Sequence, residues 1–403
     1  MKKWDIRSKF KVQSSKFKVS QIVDILLKNR DIKTKKEKED VLVPDLSLVT
    51  TENVGIDKKQ LQKAFDRIKT AIQNQEQIIV FGDYDVDGIC GTAILWESLN
   101  DLGANALPYI PHRMDEGYGL SIKGVQNVIL NLFHDPKMLK QVQHDKKKLI
   151  ITVDNGIVAH EAVQYASDQG IDVIITDHHV SSKTDPKAFA IVHTTKLCGT
   201  GVAWMLSNVI LNSFQDLNQN KMLKQEIPKQ VRDDKRKEND HLGLVALATV
   251  ADLVPLTGSN RIVTKFGIDV LQKTKRIGLL ELFAESGLEQ KTVGVYEIGH
   301  IIAPRLNAMG RLEFAMDSLR LLCTGNKDRA KLLAEKLGTT NKERQLLTLQ
   351  SAEHALSVVR SRKSDIGKLL FVAHQSYQQG VIGLVAGKLV EEFYRPSIVV
   401  SIG

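Results

Sequence analysis

Three short runs rich in β-branched residues constrain the fold of this 403-residue chain more than any other feature of its sequence. We predict strands at Gln77–Gly82, Leu149–Val153 and Asp172–Thr176, with amphipathic stretches between them. This alternation is typical of βαβ units around a parallel sheet. An acidic residue directly follows each run: Asp83, Asp154 and Asp177. Because the carboxyl ends of parallel strands meet at one edge of a sheet, we expect the three aspartates to converge there.

The composition is that of an ordinary globular protein, with 42% hydrophobic and 26% charged residues. The net charge of +9 arises entirely from residues 1–38, which hold thirteen Lys/Arg against four Asp/Glu. A basic segment suits a polyanionic partner, but a solvated lysine-rich arm explains the charge equally well. Net charge therefore does not decide between these two interpretations.

Neither a membrane span nor a disulfide framework is indicated. No apolar run approaches the length that crosses a bilayer, and the N-terminal MKKWDIRSKF lacks the apolar stretch of a secretory signal. The cysteines at 90, 198 and 323 lie far apart, without CxxC spacing. We interpret them as reduced, buried residues and expect a cytoplasmic protein that does not bind membranes.

A second folding unit is predicted after a long helix. Leucines recur at helical spacing between Asn326 and Arg362, a new strand follows near Lys368, and another strand is expected at Ile398–Ser401. The predicted fold class is α/β, with a parallel-sheet catalytic domain joined by the helix to a smaller α/β domain that is incomplete at its C-terminus. The expected boundaries are 1–45 for a basic N-terminal segment, 46–315 for the catalytic domain, 316–364 for the linking helix and 365–403 for the start of the second domain.

Two related segments, near 131–147 and 212–240, interrupt the predicted catalytic domain. VILNLFHD at 128–135 recurs as VILNSFQD at 209–216, and KMLKQ follows both copies. Two copies are too few for a solenoid. We interpret them as related peptides inserted into surface loops, where insertions are tolerated best. The alternative, dedicated nucleic-acid-binding loops, has only their lysines in its favour.

The densest acidic group is the loop GDYDVDG at 82–88. Asp83, Asp85 and Asp87 place three carboxylates in one loop, which is unfavourable unless a cation neutralises them. A calcium-binding EF-hand is excluded by the spacing, because the twelfth position counted from Asp83 is Ile94 rather than Glu.

Three further motifs add ligands: VDNG with Asp154, TDHH with Asp177, His178 and His179, and ATVADLVPL with Asp252. Two adjacent histidines after a strand-end aspartate favour a functional site, whereas Asp252 alone is explained as well by a helix cap. Carboxylates and imidazoles without cysteine favour Mn²⁺ or Mg²⁺ over structural zinc. The ligands suffice for two ions about 3.5–4 Å apart, the spacing of two-metal phosphoryl-transfer sites.

Taken in order, GDYDVDG, VDNG, TDHH and ATVADLVPL resemble the four motifs of the DHH phosphoesterase superfamily. The strings APRLNAMGR at 303–311, CGTGVA at 198–203 and QGVIGLVA at 379–386 are similar to signatures of its RecJ branch. The resemblance runs from about residue 23 to residue 403, apart from the two inserts. It implies an exonuclease that removes nucleotides from the 5′ end of single-stranded DNA with Mn²⁺ or Mg²⁺.

The resemblance also implies roles for individual residues. The implied metal ligands, or residues directly behind them, are Asp83, Asp85, Asp87, Asp154, His178 and Asp252. The implied catalytic residues are His179, which would orient the site or contact the scissile phosphate, and Asp177. The implied substrate-binding residues are Arg305, Asn307, Gly310, Arg311 and Gly380. A guanidinium suits bidentate phosphate binding, although an exposed ion pair is the alternative for both arginines. One departure is Gln378, which stands where the branch carries a histidine.

Two other functions remain open. A DHH phosphodiesterase acting on short oligonucleotides or cyclic dinucleotides, or a related pyrophosphatase, would need no long DNA channel and would prefer short substrates. A non-catalytic scaffold would keep the fold and lose metal ligands, whereas all four acidic motifs are intact here. Single-stranded DNA is the expected partner, and a DNA-repair helicase or a single-strand-binding protein follows by family analogy alone.

Overall fold

The computed structural model of the chain describes residues 19–133, 147–219, 234–362 and 367–402. Residues 134–146 and 220–233 of the two predicted inserts, and the first part of the basic N-terminal segment, lie outside these residues. The second predicted insert, near 212–240, begins inside the helix Gly199–Gln219 and ends inside the helix Asp234–Ala251, so its interpretation as a surface-loop insertion is wrong for these parts. The described strands are β1 (Gln77–Gly82), β2 (Ala106–Tyr109), β3 (Lys148–Val153), β4 (Ile171–Asp177), β5 (Ala190–His193), β6 (Leu370–His374) and β7 (Ser397–Ser401).

The described helices surround these strands. They are α1 (Val19–Lys28), α2 (Lys35–Leu42), α3 (Lys58–Gln73), α4 (Val86–Asp101), α5 (Arg113–Glu116), α6 (Ile122–Val128), α7 (His160–Asp168), α8 (Gly199–Gln219), α9 (Asp234–Ala251), α10 (Gly258–Leu271), α11 (Ile277–Glu285), α12 (Val295–Glu297), α13 (Ala303–Leu312), α14 (Met316–Cys323), α15 (Lys327–Arg360) and α16 (Ile382–Phe393). Within the described ranges, no helix is both long enough and apolar enough to span a membrane.

The main sheet has five parallel strands in the order β2-β1-β3-β4-β5. The chain passes from β1 to β2 on one side and then to β3 on the other, so the topological switch point lies between β1 and β3. All three strands predicted in this region are confirmed. The sequence analysis missed β2 and β5, because each has only four residues at a sheet edge. The proline in β2 removes a backbone donor and is tolerated at such an edge.

The sheet is buried on both faces, as a parallel sheet requires. Ile78 and Val80 of β1 pack into the larger core with α3, α4, α8 and α9. Ile79 and Phe81 face the other way, into a smaller core with α6 and α7. Burying each such side chain stabilises the fold by about 1.5–3 kcal/mol. The continuous apolar run at 78–81 therefore fixes β1 as a central strand.

Helix α15 carries the chain to a second, smaller core. It begins after Asn326, whose side chain accepts a hydrogen bond from the Arg329 backbone N–H at 2.9 Å, and this confirms the predicted long helix. Its last turns pack on the parallel pair β6–β7 and on α16. Both strands predicted in this part are confirmed. The α/β fold class is confirmed as well, and the domain boundaries stay a prediction.

A buried ionic network ties together the helices beneath the main sheet. Arg276, just before α11, binds Glu97 of α4 through two hydrogen bonds of 2.7 and 3.0 Å. It also binds Asp240 of α9 at 2.8 Å and the Leu322 carbonyl of α14 at 2.8 Å. Burial alone would raise the pKa of Glu97, but the charge and hydrogen bonds of Arg276 lower it. This single guanidinium therefore neutralises two carboxylates inside the helical layer.

We expect Arg276→Ala to destabilise the protein by about 3–5 kcal/mol, because it leaves two buried carboxylates without a counter-charge. The matched control is Arg320→Ala. The Arg320 side chain is 46% exposed in its ion pair with Asp317, so its loss should cost less than about 1 kcal/mol. Denaturant unfolding midpoints of the two variants measure the difference, and equal losses would contradict this role of Arg276.

Candidate metal centre

Three aspartates stand level at the carboxyl edge of the sheet. Gly82 of β1 pairs with Val153 of β3, which pairs with Thr176 of β4. The next residues in the three strands are Asp83, Asp154 and Asp177. The convergence predicted from the sequence is therefore present, and it lies at the switch point of the sheet, where open α/β folds bind their ligands.

The loop between β1 and α4 supplies one further carboxylate, that of Asp85. Asp85 is the N-cap of α4, and its carboxylate accepts hydrogen bonds from the backbone N–H groups of Asp87 at 2.9 Å and Gly88 at 3.1 Å. Asp83 is 1% exposed. The Gly88 position requires glycine, because a Cβ there would lie 2.5 Å from the Asp83 backbone. The compact strand-to-helix turn thus packs the acidic side chains together.

The N-terminus of α8 holds Asp87. The backbone N–H groups of Gly199 and Thr200 donate to the two carboxylate oxygens of Asp87 at 2.7 and 2.6 Å. The Thr200 hydroxyl donates to the Asp87 carbonyl at 2.6 Å. Unpaired backbone donors at a helix start favour an anion. The CGTGVA string therefore builds a support for an acidic side chain.

Asp154 occupies a backbone conformation that few residues adopt. Its φ is +62°, in the left-handed region that Asp and Asn tolerate better than most side chains. Asn155 fixes the turn by donating to the Val153 carbonyl at 2.8 Å and accepting from the Leu120 N–H at 3.1 Å. The turn points the Asp154 carboxylate at His178, whose Nε2 lies 3.1 Å from Oδ1.

The acidic groups and His178 form overlapping sets of possible metal ligands. In one set, Asp83, Asp85 and Asp154 each offer an oxygen within 4.8 Å of the others. In a second set, His178 Nε2 lies 3.7 Å from Asp87 and 3.6 Å from Asp252. A third set, of Asp154, His178 and His179, overlaps both, so Asp154 stands between the first two sets. This arrangement suits two neighbouring cations with a shared carboxylate.

Unsatisfied atoms support the fit to a cation. Among the described residues, Asp83 Oδ1, Asp154 Oδ1 and His178 Nε2 are buried without a hydrogen-bond partner. Such atoms are rare in folded proteins unless an ion or water completes them. All three belong to the candidate ligand sets. The candidate ligand atoms therefore suit a hard divalent cation. Their chemistry is appropriate, and three of them have no hydrogen-bond partner of their own.

The electrostatics of the cluster also favour a bound cation. Burial, and then repulsion from Asp85, raises the pKa of Asp83 to about 8. Burial, and then the charges of Asp87 and Asp85, raises the pKa of Asp252 to about 7. Burial also raises the pKa of Asp154 and lowers that of His178, which favours the neutral imidazole that metals bind. A bound divalent ion would neutralise the negative charge of the ionised carboxylates.

Asp177 orients His179 and belongs to none of the ligand sets. Its carboxylate accepts hydrogen bonds from His179 Nδ1 at 2.8 Å and from the backbone N–H groups of His178 and Ile157 at 2.7 and 2.9 Å. Burial would raise the pKa of Asp177, but these hydrogen bonds lower it. In turn, the hydrogen bond to Asp177 raises the pKa of His179. The sequence placed both residues in the site, and the structure pairs them.

The structure favours the ion-pair alternative for Arg305. Its guanidinium donates to Glu285 at 2.7 Å and to the Ile301 carbonyl at 2.9 Å. The Arg305 and Glu285 side chains are only 15% and 13% exposed, so this pair is largely buried, not exposed as the alternative supposed. Asn307 also acts within the fold, because its side-chain oxygen accepts the Val86 N–H at 2.9 Å. Both residues support the site, and their predicted DNA contacts stay untested.

Gly310, Arg311 and Gly380 bring α13, the acidic loop and the start of α16 together. A Cβ on Gly310 would lie 2.5 Å from the Tyr84 carbonyl. One on Gly380 would overlap the Arg311 backbone, and the Arg311 guanidinium donates to the Gly380 carbonyl at 3.3 Å. The second unit therefore touches the first beside the metal cluster. Gln378, at the departure from the RecJ pattern, is exposed.

The sequence analysis missed three residues near the cluster. Burial, and then repulsion from Arg113 and Arg344, lowers the pKa of Arg311, so the charges of all three arginines act on one another. Arg113 also stacks 5.1 Å from the centre of the Tyr84 ring. The Tyr118 hydroxyl lies 3.2 Å from His179 Nε2. Arg113 follows β2, a strand that the sequence pattern does not reveal, and Arg344 is one of many charged residues on α15, so neither arginine carried a usable signal.

Carboxylates and histidines gathered at the switch point of a parallel sheet define a DHH-type protein. The family model described as "DHH family, N-terminal domain" matches residues 77–248. The single-stranded-DNA-specific exonuclease RecJ of Bacillus subtilis is 35% identical over 353 residues, which cover 85% of this chain and 40% of that protein. A crystal structure of exonuclease RecJ bound to manganese is 31% identical, with a TM-score of 0.67 over 85% of this chain and 80% of that one. This chain belongs to the RecJ branch of the DHH family.

A second solved structure agrees in fold. RecJ from Thermus thermophilus in complex with Mn²⁺ is 28% identical, with a TM-score of 0.69 over 93% of this chain and 49% of that one. The chain matches only part of the length of its curated relatives. It spans 40% of the Bacillus subtilis protein and 57% of RecJ from Escherichia coli.

Without divalent cations, we expect the free energy of unfolding to fall as the pH rises from about 6 to about 8. The folded-state pKa values of Asp83 and Asp252, about 8 and about 7, exceed the unfolded value. The folded protein therefore binds more protons in this window, and deprotonation disfavours it. Melting temperatures in EDTA at both pH values measure the loss, and MnCl₂ should abolish it. A melting temperature in EDTA that does not depend on pH would contradict the electrostatics described above.

We expect Gly199→Ala to weaken Mn²⁺ binding by about 10- to 100-fold. The added methyl would lie 2.5 Å from Cβ and Oδ1 of Asp154 and would displace that carboxylate. Calorimetric titration with MnCl₂ measures the change. Gly387→Ala is the matched control, because a Cβ there meets no atom within 4 Å. If both variants bind Mn²⁺ like the wild type, Asp154 is not a ligand.

Proposed function

We propose that this chain hydrolyses phosphodiester bonds of single-stranded DNA in a metal-dependent reaction that releases nucleotides from the 5′ end. The observation that carries the proposal is the pair of overlapping ligand sets at the switch point, joined through Asp154. Membership of the RecJ branch supports the substrate, because relatives of this branch are named single-stranded-DNA-specific exonucleases.

The proposed cofactor is Mn²⁺ or Mg²⁺, the ions with which RecJ structures from Thermus thermophilus were solved. Asp83, Asp85 and Asp154 would hold one ion. The second would be held by Asp87, His178 and Asp252, with Asp154 also in reach. Bound ions of this kind supply an activated water and neutralise charge on the phosphate.

His179 is the proposed catalytic residue of the protein itself. Its hydrogen bond to Asp177 fixes the ring and keeps a proton on Nδ1, which leaves Nε2 beside the Tyr118 hydroxyl. The raised pKa of His179 favours the charged imidazolium. In that form, Nε2 would donate a hydrogen bond to a phosphate oxygen as negative charge develops there.

The cluster of Arg113, Arg311 and Arg344 is the proposed phosphate-binding surface. The three like charges lower the pKa of Arg311, which is unfavourable unless an anion lies between them. A DNA phosphate has the charge and the geometry that guanidinium groups prefer. The arginines would hold the strand while the acidic cluster holds the ions, which separates substrate binding from metal binding.

A reducing, cytoplasmic setting is part of the proposal. It is supported by the three free cysteines, two of them fully buried. Contact with a DNA-repair helicase or a single-strand-binding protein rests on family analogy alone and adds nothing to the chemistry proposed above.

We expect the full chain to release labelled mononucleotides from the 5′ end of a long single-stranded oligonucleotide in MnCl₂. Asp154→Asn should lower kcat by on the order of a thousandfold or more, since asparagine keeps the left-handed turn but lacks the charge. Asp168→Asn, at an exposed position on α7, is the matched control and should retain full activity. Oligonucleotides labelled at either end, analysed on denaturing gels, give both polarity and rate.

Two results would replace the proposal. Survival of the long strand together with cleavage of dinucleotides would favour a phosphodiesterase specific for short oligonucleotides. Release from the 3′ end first would contradict the proposed polarity while leaving the metal-dependent chemistry in place.

A further inference from the structure

The two most exposed large hydrophobic side chains of the described residues both lie next to the metal cluster. Leu253, which follows Asp252, is 86% exposed, and Val180, which follows His179, is 82% exposed. They come from different parts of the fold, one after α9 and one after β4. Scattered exposed apolar residues need no explanation, but two such extremes beside one acidic site do.

The backbone at Leu253 makes a leucine more surprising. Helix α9 ends with hydrogen bonds from the Asp252 N–H to Ala248 and from the Leu253 N–H to Val250. Leu253 then adopts φ +59°, the left-handed position after a helix that usually carries Gly or Asn. Neither backbone preference nor packing accounts for leucine there. Tyr394 ends α16 in a similar conformation, so the location beside Asp252 is what distinguishes Leu253.

The two residues follow segments that meet at the metal cluster. Asp252 Oδ2 lies 3.6 Å from His178 Nε2, so the turn after α9 meets the loop after β4 at the cluster. Leu253 is one residue from Asp252 and Val180 is two residues from His178. Consecutive Cα atoms are about 3.8 Å apart, so both exposed apolar residues lie close to residues whose side chains form the cluster.

We infer that Val180 and Leu253 form an apolar rim that contacts the base of the nucleotide whose phosphate lies at the metal cluster. This inference rests on the proposed function. The cluster itself offers carboxylates and imidazoles, which suit ions and phosphate but not the flat apolar face of a base. Every base has such a face, so contact with the apolar rim is independent of sequence. The site would therefore require a base without reading its identity.

The test compares intact DNA with DNA that lacks bases. The substrates are two 5′-labelled single strands, one intact and one with abasic residues at its first two positions, cleaved by the full chain in MnCl₂. The wild type should prefer the intact strand by about tenfold in kcat/KM, the size expected for one apolar contact. The variants are Leu253→Asn, which suits the left-handed backbone but is polar, and Leu253→Met, which keeps the apolar surface.

We expect Leu253→Asn to raise KM for the intact strand about five- to tenfold with kcat nearly unchanged, and to lose the preference over the abasic strand. Its melting temperature should equal or exceed that of the wild type, because asparagine relieves the backbone. Leu253→Met should behave like the wild type. Val180→Ser should reduce the preference in the same direction as Leu253→Asn.

Several outcomes would overturn the inference. One is an equal loss of activity by Leu253→Asn on both strands, which would mean that Leu253 acts by placing Asp252. Another is wild-type KM in Leu253→Asn with a changed sedimentation coefficient, which would assign the rim to a protein interface. Cleavage by the wild type without any preference for bases would overturn the inference alone. Failure of the wild type to cleave either strand would overturn the proposed function, and this inference with it.

Discussion

Mutual repulsion among buried carboxylates is the constraint on which the rest of this structure depends. The candidate ligands at this edge of the sheet are five aspartates and His178, and burial with like charge raises the pKa of Asp83, Asp85, Asp154 and Asp252. A fold left to optimise its own stability would not retain such a group. The fold holds the group in place with rigid parts, namely the ends of β1 and β3 and the starts of α4 and α8. Those elements are buried in the largest core of the protein, so the apolar packing counteracts the repulsion.

Several carboxylates around the cluster are held in the same way, by backbone N–H groups at a helix start or in a tight turn. Helix α8 directs two N–H groups at Asp87, α4 directs two at Asp85, and the loop after β4 directs N–H groups at Asp177. Each of these carboxylates is thereby oriented before any ion binds. Glycines keep the approach close, since a Cβ on Gly199 would collide with Asp154. Pre-organisation of this kind leaves little to be ordered when the site is used.

Much of this arrangement could be predicted from particular residues. The runs at 77–82, 149–153 and 172–176 were long and apolar enough to be predicted as strands, and the aspartates after them had to meet once the sheet was parallel. The edge strands β2 and β5 could not be found, because four residues carry too little pattern. Asp252 was ambiguous between cap and ligand, and only its 3.6 Å approach to His178 favours the ligand interpretation. Arg305 looked like a phosphate ligand, yet its guanidinium is held by Glu285.

The sequence by itself determined the identity and the order of the chemical groups: which residues end strands, which ligands are hard, and that cysteine takes no part. It could do so because strand periodicity and residue chemistry are local properties. Only the tertiary structure decided how those groups are arranged: Asp154 lies between two ligand sets, Asp177 orients His179, and the charges of Arg113 and Arg344 lower the pKa of Arg311. These relations depend on the register of parallel strands and on helices that are distant in sequence. Val86 and Asn307, for example, form a hydrogen bond although they are more than two hundred positions apart in the chain. No local sequence pattern encodes the distance between such residues.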